Sequence, residues 1–252
     1  MSSTAWIARA HPNPSARLRL ICFPYAGGGD AIFRLWWQSL PDDVEVCAIR
    51  LPGRDARRAE PPLGRLTPLV HALADALGPD LARPYALYGH SAGARVAFEL
   101  AREQRRRGRP EPALLAVSGR RAPHCPERDP LHGLPTDQLV ARLRRLGGTP
   151  EAILREPELM AMFLPIVRAD LAVNEAEAHR PEPPLACPIA AFGGSHDERC
   201  TRDELDAWRD HTQSSFSLEL FPGGHFFVHT AARDLLASLA QALRGTAAPT
   251  AS

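Results

Sequence analysis

One stretch of this chain reads Tyr88-Gly89-His90-Ser91-Ala92-Gly93. It fits the pattern G-x-S-x-G and lies between a short apolar run, 85–88, and a long amphipathic stretch, 92–107. Between a strand and a helix, this pattern holds the serine on a tight turn with its hydroxyl exposed. The N-terminus of the following helix adds positive partial charge where an oxyanion would form. We therefore predict that Ser91 is a nucleophile on a strand–turn–helix unit.

Short apolar runs alternate with amphipathic stretches on both sides of this turn, as in a mostly parallel sheet with helices on both faces. The predicted strands are 18–23, 44–50, 85–88, 113–118, 188–192 and 216–221. The predicted helices outside the middle of the chain are 30–40, 67–77, 92–107, 201–211 and 230–243. Asp30, Thr67 and Thr201 are the expected caps of three of them. We predict one α/β domain over residues 1–252.

The pattern changes between about residues 121 and 184, where helical stretches follow one another with no strand between them. These stretches are 137–146, 151–154 and 158–174. An insertion of this kind in a sheet protein is a candidate lid over the site. We therefore expect the domain to carry a helical lid insertion at approximately 121–184.

A serine hydroxyl is a weak nucleophile until a base takes its proton, and the base needs a partner that orients it. Asp197 follows the predicted strand 188–192, and His225 follows the predicted strand 216–221. Loops after parallel strands share one edge of the sheet, so Asp197 can orient His225 and His225 can deprotonate Ser91. The order Ser, Asp, His along the chain is that of the α/β-hydrolase fold, which we predict here.

Other side chains compete for these two roles. Glu198 and Asp203 are the alternatives for the carboxylate, and His196 and His229 are the alternatives for the base. His229 fits the face of a helix better than a catalytic loop. His90, next to the serine, is expected to pack or to form a hydrogen bond beneath the turn.

An oxyanion hole needs two backbone donors, and the first is the N–H of the residue after the nucleophile, Ala92. The second is expected from the loop after an early strand, at Tyr25 or Ala26, and Ala26 is our choice. Glycines 27–29 let the backbone approach a substrate closely there. A plain glycine turn is the alternative. A phosphate-binding loop is excluded because the sequence has no lysine.

All 30 basic residues are arginine, which excludes Schiff-base chemistry and a lysine general base. With 29 acidic residues the formal net charge is +1, so the chain has no overall field for nucleic acid or an anionic membrane. Five scattered cysteines and the lack of a targeting or membrane-spanning segment indicate a cytoplasmic protein. We expect no metal and a monomer. The basic cluster at 102–109 is either a solvated helix end or a docking surface for an acidic partner.

With these residues in place, the chain resembles the stand-alone type II thioesterases of polyketide and nonribosomal peptide assembly lines. The segments that carry the resemblance are Phe23-Pro24-Tyr25-Ala26-Gly27-Gly28-Gly29, Phe33-Arg34 with Trp37, Leu51-Pro52-Gly53-Arg54-Asp55 with Glu60-Pro61, Gly89-His90-Ser91-Ala92-Gly93 and Pro222-Gly223-Gly224-His225-Phe226-Phe227. The first and third are more specific than the serine motif. Ala92 stands where methionine is common in the family.

The resemblance implies a hydrolase that removes stalled or aberrant acyl groups from the phosphopantetheine arm of acyl- or peptidyl-carrier proteins. The arm belongs to the substrate, so the enzyme itself needs no cofactor. It also implies a flexible lid over an acyl chamber. We predict Tyr25, Met162, Phe163 and Phe226 as substrate-binding residues. The apolar group at 159–167 either packs on the core or lines the acyl channel.

Three other functions stay open at this stage. A chain-releasing thioesterase or acyltransferase would pass the acyl group to an alcohol, an amine or its own chain rather than to water. An esterase would act on small free esters. A carrier-binding module would use the same surface without catalysis, although the predicted Ser91, His225 and Asp197 argue against it.

Overall fold

The computed structural model describes residues 3–246, which contain one seven-stranded sheet. Along the sheet the strand order is β1-β3-β2-β4-β5-β6-β7, with β1 antiparallel to β3 and every other neighbouring pair parallel. The strands are β1 (Ile7–Ala8), β2 (Leu18–Phe23), β3 (Val44–Ile49), β4 (Tyr85–His90), β5 (Leu115–Ser118), β6 (Ile189–Gly194) and β7 (Phe216–Phe221). This is the predicted α/β-hydrolase architecture.

Helices follow most of the strands. The α-helices are α1 (Ser3–Trp6), α2 (Leu66–Ala76), α3 (Gly78–Leu81), α4 (Ala92–Arg106), α5 (Thr136–Leu146), α6 (Glu151–Arg155), α7 (Pro157–Glu175), α8 (Arg202–Asp206), α9 (Phe227–Thr230) and α10 (Ala232–Arg244). Short 3-10 helices occur at Asp30–Phe33, Trp36–Gln38, Asp55–Arg57 and Ala207–His211. Within the described range, no helix combines the length and the apolar character needed to cross a bilayer.

Alternate residues of the strands face two separate apolar cores, as the period of two in a strand requires. Ile21 and Leu87 belong to the core beneath α2 and α4. Leu20 and Ala86, one residue before each of them, belong to the core beneath α10. Helices therefore cover both faces of the sheet.

The chain between β5 and β6 is entirely described and forms α5, α6 and α7 with no strand, in the region where we predicted an insertion. We call α5–α7 the helical segment. It has its own apolar cluster, which includes Leu139, Leu143, Met160, Val167 and Leu171. The helical segment is therefore a small third layer.

The prediction of one helix over 30–40 is wrong, because two 3-10 helices occupy this region. Phe33 ends the first 3-10 helix and Trp36 begins the second. Both are buried, with an edge contact between rings whose centroids are 4.9 Å apart. Asp30 does not act as a side-chain cap, because its carboxylate accepts a hydrogen bond from Arg50 Nε at 2.5 Å. Tertiary packing of the aromatic rings sets the local geometry here.

Two other helix starts test the predicted caps. Thr67 does not cap α2, because its hydroxyl donates to Glu177 Oε2 at 2.7 Å and the helix begins at Leu66. Thr201 forms the predicted capping box with Glu204. The helix after it is shorter than predicted and continues as a 3-10 helix to His211. The predicted closing helix, 230–243, is confirmed as α10, which begins two residues later, and the short helix α9 precedes it.

Candidate active site

Ser91 occupies a strained turn between β4 and α4. Its φ and ψ are +54° and −116°, a conformation that a non-glycine residue rarely adopts. The Ser91 N–H donates to Ser118 O at 2.8 Å, which holds the turn against β5. Backbone strain of this kind persists only where the surroundings enforce it, and it concentrates at functional sites.

The two glycines of the motif are needed because no side chain fits at either position. A Cβ on Gly89 would overlap the backbone of Gly93. A Cβ on Gly93 would overlap the carbonyl of Phe23, at the end of β2. Helix α4 therefore packs directly on the backbone of the sheet, and Ser91 is fixed at its edge.

His225 lies between Ser91 and Asp197. Its Nε2 is 3.0 Å from Ser91 Oγ, and its Nδ1 is 2.9 Å from Asp197 Oδ2. The imidazole is buried, and the loops that follow β4, β6 and β7 supply the three side chains. The structure thus brings together the three side chains singled out in the sequence, in a hydrogen-bonded row.

The surroundings of Asp197 keep its carboxylate ionised. Burial alone would raise the pKa, but the hydrogen bond from His225, the amide of Arg199 at 2.7 Å and the thiol of Cys200 lower the pKa below its ordinary value of 3.8. An ionised carboxylate fixes the orientation of His225 and stabilises its protonated form.

Three of the four competing side chains have other partners, and the fourth is exposed. Glu198 pairs with Arg145, and His196 Nδ1 lies 2.9 Å from the hydroxyl of Ser195. His229 Nε2 lies 2.9 Å from the Tyr25 hydroxyl. Asp203 is exposed on α8. None of these four side chains contributes to the row.

His90 lies beneath the serine turn and is 1% exposed. Its Nδ1 is 2.9 Å from Ser118 Oγ, as part of the packing that supports β4 against β5. Burial lowers the pKa of His90 well below 6.5, and the charge of nearby His225 lowers it further. His90 is therefore neutral near pH 7.

The amides proposed for the oxyanion hole are available. Within residues 3–246, neither the N–H of Ala26 nor that of Ala92 donates a hydrogen bond to another protein atom. Ala92 is the first residue of α4, and Ala26 lies in the turn after β2. Gly93 packs against the carbonyls of Phe23 and Pro24, so the two turns are adjacent.

A narrow cavity of about 40 Å³ opens beside Ser91 and His225. Its other walls are Tyr25, Ala26, Gly119, Arg120, Arg121, Leu131, Leu143, Leu146, Leu171, Asn174, Arg199 and Phe226. Sites for drug-sized ligands are usually about 300–1,000 Å³. This cavity is far smaller, so a long acyl chain fits only if a wall moves.

The predicted substrate-binding residues divide into two pairs. Tyr25 and Phe226 line the cavity and make an edge contact, with ring centroids 4.9 Å apart. Met162 and Phe163 do not line it, and their part in substrate binding stays a prediction. Met162 is 70% exposed, because the inward stripe of α7 passes through Met160 and Val167 instead. Phe163 packs on the turn at Gly27.

Sequence reasoning missed the residues of the helical segment and of the β5 loop that form the cavity. Leu143 and Leu146 come from α5, while Leu171 and Asn174 come from α7. Their spacing of three along each helix predicts a shared face, but it does not say what that face contacts. Arg120, directly after β5, also reaches the cavity.

Comparisons with known proteins agree with this fold. The thioesterase domain family matches residues 18–243. Gramicidin S biosynthesis protein GrsT of Aneurinibacillus migulanus is 42% identical over 245 residues, which cover 97% of this chain and 96% of that protein.

Two solved structures have the same fold. One is RedJ, a thioesterase from the prodiginine biosynthetic pathway in Streptomyces coelicolor, with a TM-score of 0.86 and 42% identity; the match covers 90% of this chain and 86% of RedJ. The other is BorB, a type II thioesterase from the borrelidin biosynthetic cluster, with a TM-score of 0.86 and 39% identity; the match covers 95% of this chain and 98% of BorB.

Proposed function

Since this chain belongs to the thioesterase family and is a serine hydrolase of thioesters, we propose that it clears stalled or aberrant acyl groups from the phosphopantetheine arm of carrier proteins. The observation that carries this proposal is the row of Ser91, His225 and Asp197, with hydrogen bonds of 3.0 and 2.9 Å. Such a row activates a serine for attack on an acyl carbon.

In the first half of the proposed reaction, Ser91 Oγ attacks the thioester carbonyl while His225 takes its proton. The N–H groups of Ala92 and Ala26 donate to the developing oxyanion, and ionised Asp197 holds His225 in place. Collapse of the tetrahedral intermediate breaks the carbon–sulfur bond. His225 then protonates the departing thiolate, so the arm leaves as a free thiol.

In the second half, His225 takes a proton from water, which attacks the acyl-enzyme. The same two amides stabilise the second oxyanion. Breakdown of this intermediate returns the proton to Ser91 and releases a carboxylic acid. No metal or cofactor of the enzyme takes part in the proposed reaction.

The carrier-bound substrate and the editing role are supported by the relatives. GrsT is named for gramicidin S biosynthesis, and BorB is named a type II thioesterase of the borrelidin cluster. We propose a carrier-protein partner, a cytoplasmic location and a monomeric state for this chain. The arginines near the end of α4 are already paired, for example Arg106 with Glu103 and Glu182, so they favour the solvated helix end over the docking surface.

The helical segment is the proposed lid. Helices α5 and α7 form much of the cavity wall beside Ser91. A cavity of about 40 Å³ is far too small for a long acyl chain. We propose that outward movement of this wall admits the acyl chain and that its return excludes water from the reacting groups.

The test is hydrolysis of a panel of acyl groups loaded on holo-carrier proteins, followed by mass spectrometry of the carrier. We expect loss of the acyl mass and recovery of the free thiol. The same acyl groups as simple oxygen esters, at equal concentration, test the esterase alternative. Amine and alcohol acceptors test the acyltransferase alternative.

Ser91→Ala is the control, and it should lower turnover by about a million-fold if the three side chains act as a unit. Near wild-type hydrolysis by Ser91→Ala would reject the proposed nucleophile. Faster hydrolysis of the oxygen esters than of the carrier-bound thioesters would reject the proposed substrate.

A further inference from the structure

Asp170 of α7 contacts the turn that carries the Ala26 amide. Asp170 Oδ2 accepts a hydrogen bond from the Gly27 N–H at 2.8 Å. Gly27 directly follows Ala26 and has a φ of +78°. The position of the carboxylate therefore bears on the direction in which the neighbouring Ala26 N–H points.

Arg54 holds this carboxylate in place from the other side. Its two terminal nitrogens donate to Asp170 Oδ2 at 2.6 Å and to Asp170 Oδ1 at 2.7 Å. The first of them also donates to Gly28 O at 2.9 Å. Both side chains are 7% exposed, so the pair is shielded from water. A bidentate pair fixes direction as well as distance.

The same turn packs tightly against two apolar side chains of α7. A Cβ on Gly27 would lie only 2.7 Å from the Phe163 ring and 2.8 Å from Val167 Cγ2. Phe163, Val167 and Asp170 lie on one face of α7 by their spacing. The helix therefore contacts the turn through one polar and two apolar side chains.

We propose that Asp170 and Arg54 are positioning residues, which complete the oxyanion hole when α7 is docked on the turn at Gly27. The inference rests on the proposed hydrolysis and on Ala26 as an oxyanion donor. Its consequence is that the helical segment does more than enclose the acyl chain, because its docking aligns a backbone donor for the transition state. An oxyanion donor stabilises the reaction only when it points at the developing charge.

The experiment uses the full chain and a small acyl-N-acetylcysteamine thioester, so that no carrier protein is involved. We compare the wild type with Asp170→Asn, Asp170→Ala and the double variant Arg54→Gln with Asp170→Asn. We expect Asp170→Ala to lower kcat on the order of 100-fold, as loss of one oxyanion donor does, with little change in KM. Asp170→Asn should lose less, because its amide oxygen still accepts from Gly27.

A second readout separates positioning from a purely structural role. A trifluoromethyl ketone adds the Ser91 oxygen to its carbonyl carbon, passes the proton to His225 and leaves an oxyanion in the hole. Its affinity should fall across the variants by the same factor as kcat/KM. The affinity of the corresponding thioether, which has no carbonyl, should stay unchanged.

Arg168→Gln is the matched control on the same helix. Arg168 donates to His132 O at 2.9 Å and to Thr136 Oγ1 at 3.2 Å, and it does not contact the turn. It should leave kcat and ketone affinity near the wild-type values. The double variant removes both charges of the pair, which avoids an unpaired buried charge if Asp170→Ala fails to fold.

The proposal is overturned if folded Asp170 variants keep wild-type kcat, or if ketone and thioether affinities fall together. Failure of the proposed function looks different. In that case the wild type itself would not hydrolyse the thioester or an acyl-carrier protein, whereas the ketone series would still report on the oxyanion hole.

Discussion

The sheet edge at Ser91 and the helical segment α5–α7 meet at one cavity, but their residues are specified in different ways. At the sheet edge, each functional side chain follows a strand directly, so a few neighbouring residues determine its position. In the helical segment, Leu143 and Asp170 matter only through contacts with distant parts of the chain. Local sequence thus identifies the chemistry, whereas tertiary packing determines what encloses it.

Among the variants that compare the two regions, the largest loss of activity is expected at Asp197. Asp197→Asn keeps the shape of the side chain but removes the charge that fixes the tautomer of His225, so kcat should fall by about 10,000-fold. Steady-state hydrolysis of a small thioester measures this loss. Glu198→Gln is the control, because Glu198 pairs with Arg145 outside the row.

A modest loss in Asp197→Asn, near that of Glu198→Gln, would contradict the assignment of the carboxylate. In that case local sequence would not have identified the site residues at the sheet edge any better than it identified those of the helical segment.

An intermediate effect, on stability, is expected where the helical segment touches the sheet edge. A Cβ on Gly148, in the connection between α5 and α6, would overlap the ring of Phe226 beside the triad. Gly148→Ala forces that ring to move, so the free energy of unfolding should fall by about 1–3 kcal/mol. Urea denaturation measures the change. Gly133→Ala is the control in the same insertion, because a Cβ at Gly133 meets no atom within 4 Å.

Equal stabilities of the two alanine variants would show that the helical segment is loosely attached to the sheet edge. A loss confined to Gly148→Ala would show that the two regions are packed as one body.

The smallest expected effect is a change of the free energy of unfolding with pH, and it originates at His90 in the sheet. His90 has a pKa lowered well below 6.5 by burial, so below about pH 6.5 the unfolded chain binds a proton that the folded chain does not. The contribution of His90 to stability is therefore fully present above pH 6.5 and is lost as the pH falls toward its folded pKa. The slope is about 1.4 kcal/mol per pH unit.

His90→Asn should remove that slope while keeping a polar atom near Ser118. Urea denaturation at about pH 6.5 and pH 5 measures it, with exposed His196→Asn as the control. An unchanged slope in His90→Asn would mean that the imidazole is hydrated in the folded protein.

Much of the fold was predictable because the sheet signals are local. The bounds of β2 and β7 agree with the predicted strands, and the capping box at Thr201 is confirmed. The stretch after Asp30 was not predictable, because contacts of Phe33 and Trp36 with each other and with Tyr88 favour 3-10 turns over one helix.

In the candidate site, too, local sequence predicts some residues and tertiary contacts determine the others. The side chains of Ser91, Asp197 and His225 could be chosen from strand ends and motif spacing. The exposure of Met162 could not be predicted, because an apolar residue on a helix can face either solvent or core and its spacing does not say which. Asp170 was missed, although an isolated acid on the inward face of an apolar helix is a signal that could have found it.

The row at Ser91 joins residues 134 positions apart, and its side chains follow three strands, β4, β6 and β7, with β5 lying between β4 and β6 in the sheet. A chain still in synthesis before residue 225, or one cut before β7, holds the serine without the imidazole. Turnover therefore begins only when the last parallel strand, β7, has joined the sheet. The activity regained during refolding is thus a measure of fully folded molecules and does not include partly folded ones.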